Sequence, residues 1–394
     1  MEYIKCIDII DVRDGTHDSP KYINDGGYPL ITSKNIKNNI IDFENVNYIS
    51  YEDYIKINKR SSVCNGDIIM PMIGTIGNPV LVNTDIKFAI KNVALFKLSN
   101  NNNIDSKFFY YCLKSDKVIN QLSKNKRGGT QSFVSLTNLR ELKIPNICIR
   151  KQKKIVEVLD KAQELIDKRK EQIEALDELV KSRFIEMFGD ISRNTKEWDI
   201  VKLDELIDVV GGYAFKSTEF VDEGIPVLKI GNINAGYFKP TNLMFWNRDE
   251  KLDRYLIKPN DLVISLTGTV GKDDYGNVCI MGNDYEEYYL NQRNAKLDIK
   301  SEDLLDKYYL TYALKVPEVK KRLTGISRGV RQANIANKDI QNLELPIPSI
   351  DLQHQFTIFV NQIDKLKFEM KTSLTDLEDN FNSLMQKAFK GELF

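Results

Sequence analysis

The chain repeats itself, and a repeat of about two hundred residues constrains the fold more than any single motif does. The stretch GDIIMPMIGTIGN, Gly66 to Asn78, returns 194 positions later as NDLVISLTGTVGK, Asn260 to Lys272. GGYPLITSKNI from Gly26 is echoed by EGIPVLKIGNI from Glu223, and KNVALFKL at Lys91 by QRNAKLDI at Gln292. NLRELKIPNICIRKQ from Asn138 is answered by DIQNLELPIPSIDLQ from Asp339, now at an offset of 201. A Gly-x-x-Gly turn after a β-rich run is common, so one echo could be chance. Four echoes in the same order, with an offset that drifts only as loop lengths drift, mean a duplication.

After Pro145 the texture changes to Glu, Lys, Leu and Ile, with no Gly or Pro until Gly189. Apolar residues from Ile155 to Met187 recur in alternating steps of four and three, a heptad seam broken by Arg169 and Arg183. Adding 201 gives a second seam from Phe356 to Ala388, broken only by Lys367. Each seam of about 33 residues makes a helix near 50 Å long at about 1.5 Å per residue. If the halves are related by a two-fold axis, the helices run antiparallel, and the residue facing Leu176 lies near Lys367. The alternative is that each helix packs only on its own domain. The remaining parts read as mixed α and β: runs such as DIIMPMI and DLVISLT are broken by Gly, Asn and Pro turns, while SKFFYYCLKSDKVINQL and DKYYLTYALKVPEVKKRL read as one helical hairpin in each half.

At 394 residues, 42% hydrophobic and 28% charged, the chain suits a soluble protein of two or more domains. No apolar run approaches the length needed to span a bilayer, and the opening MEYIKCIDIIDVRDG has acids where a signal peptide has its apolar core. The expected location is cytoplasmic. The five cysteines are scattered with no C-x-x-C pair, which points to burial as small apolar side chains rather than to a metal or redox site. With 56 basic and 56 acidic residues, bulk attraction to nucleic acid is excluded, whereas a local basic surface is not.

A duplicated enzyme should carry duplicated chemistry. The two histidines, His17 and His354, have no counterparts at the repeat offsets, which argues against a histidine-based nucleophile or metal site. GTVGK fails as a phosphate loop, because Leu266 stands where the first glycine is needed and Asp273 replaces the hydroxyl residue. There is no G-x-G-x-x-G turn and no Asn-Pro-Pro-aromatic stretch of the kind that amino-methyltransferases place against a flipped base. Asp67 and Asp261 match across the halves, but at a strand start an Asp more often caps a turn.

Binding chemistry is duplicated. Before each helical region lies a basic, polar, glycine-containing stretch: SKNKRGGTQSFVSLTNL with Lys124, Lys126, Arg127, Thr130 and Gln131, and KKRLTGISRGVRQANIAN with Lys320, Lys321, Arg322, Arg328, Arg331 and Gln332. Lys and Arg neutralise phosphates, while Arg, Gln, Asn and Thr hydrogen-bond base edges. A lone stretch of this kind is an ordinary solvated loop; its recurrence at the same place in both halves favours a nucleic-acid interface. Secondary candidates are Lys34 in SKN, Lys229 near its echo, Thr75 and Thr269 in the two Gly-Thr turns, and Arg293 in NQR. The Gly-Thr turns also read as plain sheet turns.

The arrangement, with SRFIEMFGD closing the first helix and MQKAFKGELF closing the chain, resembles the specificity subunit of Type I restriction-modification systems. The resemblance covers the whole chain. It is most specific from Phe184 to Asp190, from Phe389 to Phe394, and in LKIPN and LELPIP; VRDGTHDSPKY from Val12 resembles the opening of many first recognition domains. It departs from the pattern at LQHQF from Leu352, where many members have a Glu-Gln pair. The resemblance implies an α+β fold of two mixed α/β target-recognition domains, residues 1–148 and 190–348, separated by two long helices, 149–189 and 349–394, that form an antiparallel coiled coil with internal pseudo-two-fold symmetry. It implies a non-catalytic reader of double-stranded DNA, each domain reading half of a split asymmetric target. The helices set the gap and dock two methyltransferase subunits, and in systems that cleave, two restriction (translocase) subunits are added. S-adenosylmethionine belongs to the methyltransferase, ATP and Mg to the restriction partner, and no cofactor or metal to this chain. The rival readings are a coiled-coil scaffold without a nucleic-acid role and the recognition part of a fused restriction/methyltransferase enzyme.

Overall fold

The structure, a computed structural model, describes every residue except 25, 38, 74–76, 125–132 and 326–331, and only the backbone of Gln332. The chain divides into two compact units, Met1–Glu171 with Thr372–Phe394, and Gln172–Lys371.

The first unit is built on an antiparallel sheet in the order Asp11–Asp14, Val93–Lys97, Ile68–Pro71, Val80–Leu81. Ile68–Pro71 is buried at every position, because both of its faces are covered, so it reads as a continuous apolar run. With a period of two, Ile68 and Met70 join the core beneath the helices, whereas Ile69 joins a separate core on the opposite face. A second sheet runs Ala89–Ile90, Tyr28–Ile31, Asn47–Ile49, Tyr22–Ile23, and only its first pair is parallel. Tyr3–Lys5 against Lys143–Pro145 closes the domain just before the first long helix.

The second unit repeats the plan. Its antiparallel sheet runs Ile207–Gly211, Asn294–Ile299, Leu262–Ser265, Val278–Ile280. The second sheet again has one parallel pair, Ile225–Leu228 with Tyr288–Leu290, here at its centre rather than at its edge and flanked by Met244–Trp246 and Leu256–Ile257. Asp199–Lys202 pairs with Glu344–Ile347. The halves differ where the first has the helix Tyr51–Ser61 and the second a 3-10 turn, Glu250–Tyr255.

Local devices are duplicated too. Gly66 (φ +86°) and Asn260 (φ +75°) hold the left-handed turn ahead of each central strand. The next residue caps it, as expected: Asp67 accepts from the N–H groups of Cys64, Leu98 and Ser99, and Asp261 from that of Lys258. Each expected helical hairpin is a pair of helices, Ser106–Lys114 with Asp116–Lys124 and Lys307–Lys315 with Pro317–Thr324, N-capped by Asp105 and Asp306.

The long helices span Ile149–Phe188 and Ile350–Lys390, each followed by a glycine in the left-handed region, Gly189 and Gly391. Both helices contribute to each unit. In the first, Lys170 pairs with Glu378, and the domain core takes Ile155 and Leu159 together with Met385, Ala388 and Phe389. In the second, Asp177 pairs with Lys367 at 2.5 Å, and Phe184 and Phe188 pack on Phe356. Within each unit the partners run antiparallel, and the helices pack on each other as well as on the domain. Every seam position from Ile155 to Met187 and from Phe356 to Ala388 is buried or half-buried. Two cysteines correct the expectation of burial. Cys6, Cys112 and Cys279 are buried, but Cys64 lies exposed in the turn before a central strand and Cys148 exposed just before the first long helix.

Candidate nucleic-acid interface

The second unit brings together segments that are far apart in sequence. After the helix Pro317–Thr324 the chain passes through 326–331 and emerges as the strand Gln332–Asn334, which pairs antiparallel with Thr267–Thr269. The register sets Thr269 opposite Gln332, Gly268 opposite Ala333 and Thr267 opposite Asn334. Ile335 N–H then donates to the Leu266 carbonyl at 2.8 Å. The Gly-Thr turn and the basic stretch, separate candidates in the sequence, thus form one two-stranded ribbon.

The first unit has the same junction. Ile73 bridges Phe133, and Val134 N–H donates to the Met72 carbonyl at 2.9 Å. Thr267 and Asn334 stand 194 and 201 residues after Ile73 and Phe133, the two offsets of the repeat. Among the residues expected to bind, Thr75, Lys126, Arg127, Thr130, Gln131, Arg328 and Arg331 lie outside the described residues, as does the Gln332 side chain.

Arg293 lies beside the ribbon, its carbonyl accepting from Leu266 N–H at 2.8 Å. It is exposed, and its guanidinium makes no ion pair or hydrogen bond among the described residues. It is also an insertion. Gly15 N–H donates to the Val93 carbonyl as Gly212 N–H does to that of Asn294, and Asn92 N–H donates to the Thr16 carbonyl as Gln292 N–H does to that of Tyr213. Asn92 therefore matches Gln292 and Val93 matches Asn294, which leaves Arg293 without a counterpart. Lys34 and Lys229 are likewise not equivalent. The buried Asn35 and Asn232 occupy the same place, each accepting on Oδ1 from the N–H three residues earlier, of Thr32 and Lys229. Lys229 thus matches Thr32, and Lys34 matches Gly231. Lys34 is exposed, whereas Lys229 is half-buried over the Phe220 ring at 4.5 Å, and burial pushes its pKa below the ordinary lysine value.

Other candidates serve the fold. Thr269 gives its N–H and its hydroxyl to the two oxygens of Asp274, at 2.7 and 2.8 Å, which holds that carboxyl below its usual range. Lys320 pairs with Asp273 at 2.5 Å and donates to Asn277, and Arg322 donates to the Ser192 carbonyl at 2.6 Å. The local sequence carried no signal for the pairing of the ribbon strands, because they come from segments about 65 residues apart and hydrogen-bond through backbone.

Two domains of one plan, each with a helical hairpin followed in the sequence by a basic segment and a backbone junction that continues its central strand, define a tandem subunit. The sequence profile of the Type I restriction modification DNA specificity domain matches residues 1–176 and again 195–378. The chain belongs to this family. It is 24% identical over 387 residues to the MjaVIII specificity subunit of Methanocaldococcus jannaschii, covering 94% of this chain and 87% of that one. It is 22% identical over 396 residues to the EcoKI specificity subunit of Escherichia coli, covering 94% and 84%. The fold matches a solved structure concerning complex assembly and conformational transition of the type I R-M system, with a TM-score of 0.61 at 18% identity over 100% of this chain and 98% of that one. It also matches the S subunit from M. genitalium, with a TM-score of 0.51 at 17% identity over 98% and 96%. Among the described residues no helix is long and apolar enough to cross a membrane.

Proposed function

We propose that this specificity subunit reads double-stranded DNA in two halves, one with each domain, and that the chemistry is done by partner subunits. One observation carries the reading: the ribbon junction, with a basic segment leading into it, recurs at equivalent positions in both units. A two-stranded ribbon fits a major groove, where base edges are distinguishable. Docking of two methyltransferase subunits is supported by a repeat in the exposed apolar side chains of the long helices. Leu165 and Leu366 stand 201 residues apart, 54% and 38% exposed, one in each unit. An exposed leucine repeated at equivalent positions offers two copies of one partner the same foothold. In this reading S-adenosylmethionine is held by the methyltransferase, and ATP and Mg by a restriction subunit.

The test assembles the chain with its methyltransferase partner after residues 190–348 are exchanged for the matching domain of a relative, and maps methylated adenines by sequencing. One half of the motif should change and the other stay intact; a change in both halves would sink separate reading. Retention of duplex DNA should weaken as salt rises, since phosphate contacts displace counterions. Salt-independent or absent retention would favour a scaffold.

A further inference from the structure

The motif VRDGTHDSPKY contains a side-chain chain of contacts that the ribbon does not explain. The Asp14 carboxylate is buried, with one oxygen on the Arg60 guanidinium and the other 2.9 Å from His17 Nε2. The other ring nitrogen, Nδ1, lies 2.8 Å from Asn92 Oδ1. A carboxylate and an amide oxygen both accept, so with the Asn92 amide turned this way both ring nitrogens donate and the ring is an imidazolium, whereas with the amide reversed Nδ1 accepts from the NH2 group. Asn92 is half-buried in the turn between Ala89–Ile90 and Val93–Lys97, and its Nδ2 has no partner among the described residues. The turn borders the ribbon junction, since Val93 pairs with Pro71, two residues before Ile73. Gln292 holds the equivalent position beside Arg293 in the second unit, so each domain presents an amide side chain at the same place.

We propose that Asn92 is a DNA-reading amide of the first domain, and that the proton on His17 Nδ1 decides whether Asn92 offers the DNA its NH2 group or its oxygen. The inference rests on the DNA-reading function proposed above. Asp14 can only accept, so Nε2 keeps its hydrogen in either state. Loss of the Nδ1 proton turns that nitrogen into an acceptor. Asn92 must then rotate its amide to donate, and its oxygen takes the outward place of the NH2. An outward NH2 suits the acceptors of guanine or thymine, and an outward oxygen suits the amino group of adenine or cytosine. The charged groups around His17 are Asp14, Arg60, the neighbouring Asp18, and Lys91, whose Nζ is tied to Ser19. The hydrogen bond to Asn92, then that to Asp14, raises the imidazole pKa above its ordinary value, while desolvation and then the Arg60 charge oppose this. The position 197 residues after His17 is Ala214, so Gln292 has no such relay and the second domain is an internal control.

The test uses the full chain with its methyltransferase partner. Nitrogen spectra of the chain labelled at its two histidines locate the His17 titration. Random-sequence duplexes are then selected by the complex at one pH below that point and one above. At one position of the first half-site the preference should move from guanine or thymine to adenine or cytosine, by about fivefold or more, as expected for one lost or gained base contact. The second half should not move. Asn92→Asp tolerates the left-handed turn (φ +53°) and offers only acceptors, so at both pH values it should select as the parent does at the higher one. His17→Gln should remove the pH dependence. A first half-site that is the same at both pH values, both halves shifting together, or a His17 that does not titrate within the pH range over which the complex stays folded would each overturn the relay. A complex that selects no motif under any condition would overturn the DNA-reading function itself, and the relay with it.

Discussion

At the scale of single residues, the duplicated halves are held by a few side chains with no latitude. Gly15 and Gly212 occupy the same crossing between the two sheets of their units. A Cβ there would lie 2.2 Å from the Ile90 carbonyl oxygen or 2.3 Å from the Asn291 carbonyl carbon. Gly212→Ala should destabilise the second unit by about 1–3 kcal/mol, because backbone rather than a flexible side chain has to move. Both tryptophans, Trp198 and Trp246, lie in that unit, so their fluorescence during urea unfolding reads the shift. Gly231→Ala, with nothing within 4 Å, is the control that should leave the midpoint in place. Gln152 and Gln353 are buried clamps: each accepts from the N–H of an N-cap aspartate, Asp105 or Asp306, and donates to two backbone carbonyls. The departure from the family pattern at LQHQF leaves this clamp intact. Arg293 is a different case, being exposed and without a counterpart. If it touches phosphate, Arg293→Ala should weaken binding to all sequences alike and lower the salt slope by about one. If it reads guanine, the loss should be about 1–3 kcal/mol and confined to one position of the second half-site.

Among the elements, the long helices show how a polar residue in an apolar seam is accommodated. Lys367, the only break in the second seam, reaches Asp177 on the facing helix. Lys315 ends the helix Lys307–Lys315 nearby, exposed to solvent yet crowded by its neighbours, with Asp177, Asp364 and Lys367 contributing to its field. Desolvation of its ammonium by the packed neighbours is the main effect on Lys315 and lowers its pKa below the ordinary lysine value. A base with a depressed folded pKa weakens the folded state while it is charged, and that cost disappears as pH rises above the folded pKa. Lys315→Met should therefore stabilise the second unit slightly at neutral pH, because solvent screens much of the cost at an exposed side chain, with the gain shrinking as pH is raised. An unchanged or lowered urea midpoint at neutral pH would mean that the ion network outweighs the desolvation.

For the whole molecule, the units divide between Glu171 and Gln172 in the first helix and between Lys371 and Thr372 in the second. The family resemblance makes the helices the spacer between half-sites. Inserting one heptad at each of these points leaves the helix pairing inside each unit untouched and adds about 10 Å of helix, at most about three base pairs of duplex. Methylation mapping of such a variant should return the same half-sites with a longer gap. An active variant with the old gap would show that the spacing is set elsewhere. A heptad in one helix alone should break the seam instead, since seven residues would have no partner.

The sequence by itself determined the duplication, the two long helices and the capping role of Asp67 and Asp261, because each rests on local pattern: a repeat offset, a 3.5-residue period, a turn residue before a buried strand. The antiparallel pairing was legible only on the condition that a two-fold axis relates the halves, which placed Lys367 near Leu176; the structure decided it. The tertiary structure alone decided that the Gly-Thr turn and the segment around Gln332 are two strands of one ribbon, that Arg293 is an insertion, and that Lys229 answers to Thr32 rather than to Lys34. It also committed Lys320, Arg322 and the Thr269 hydroxyl to internal partners. The physical reason is the same in each case. Pairing across about 65 residues is made by backbone groups that every residue carries, and whether a polar side chain is free to bind depends on neighbours that only the folded chain supplies.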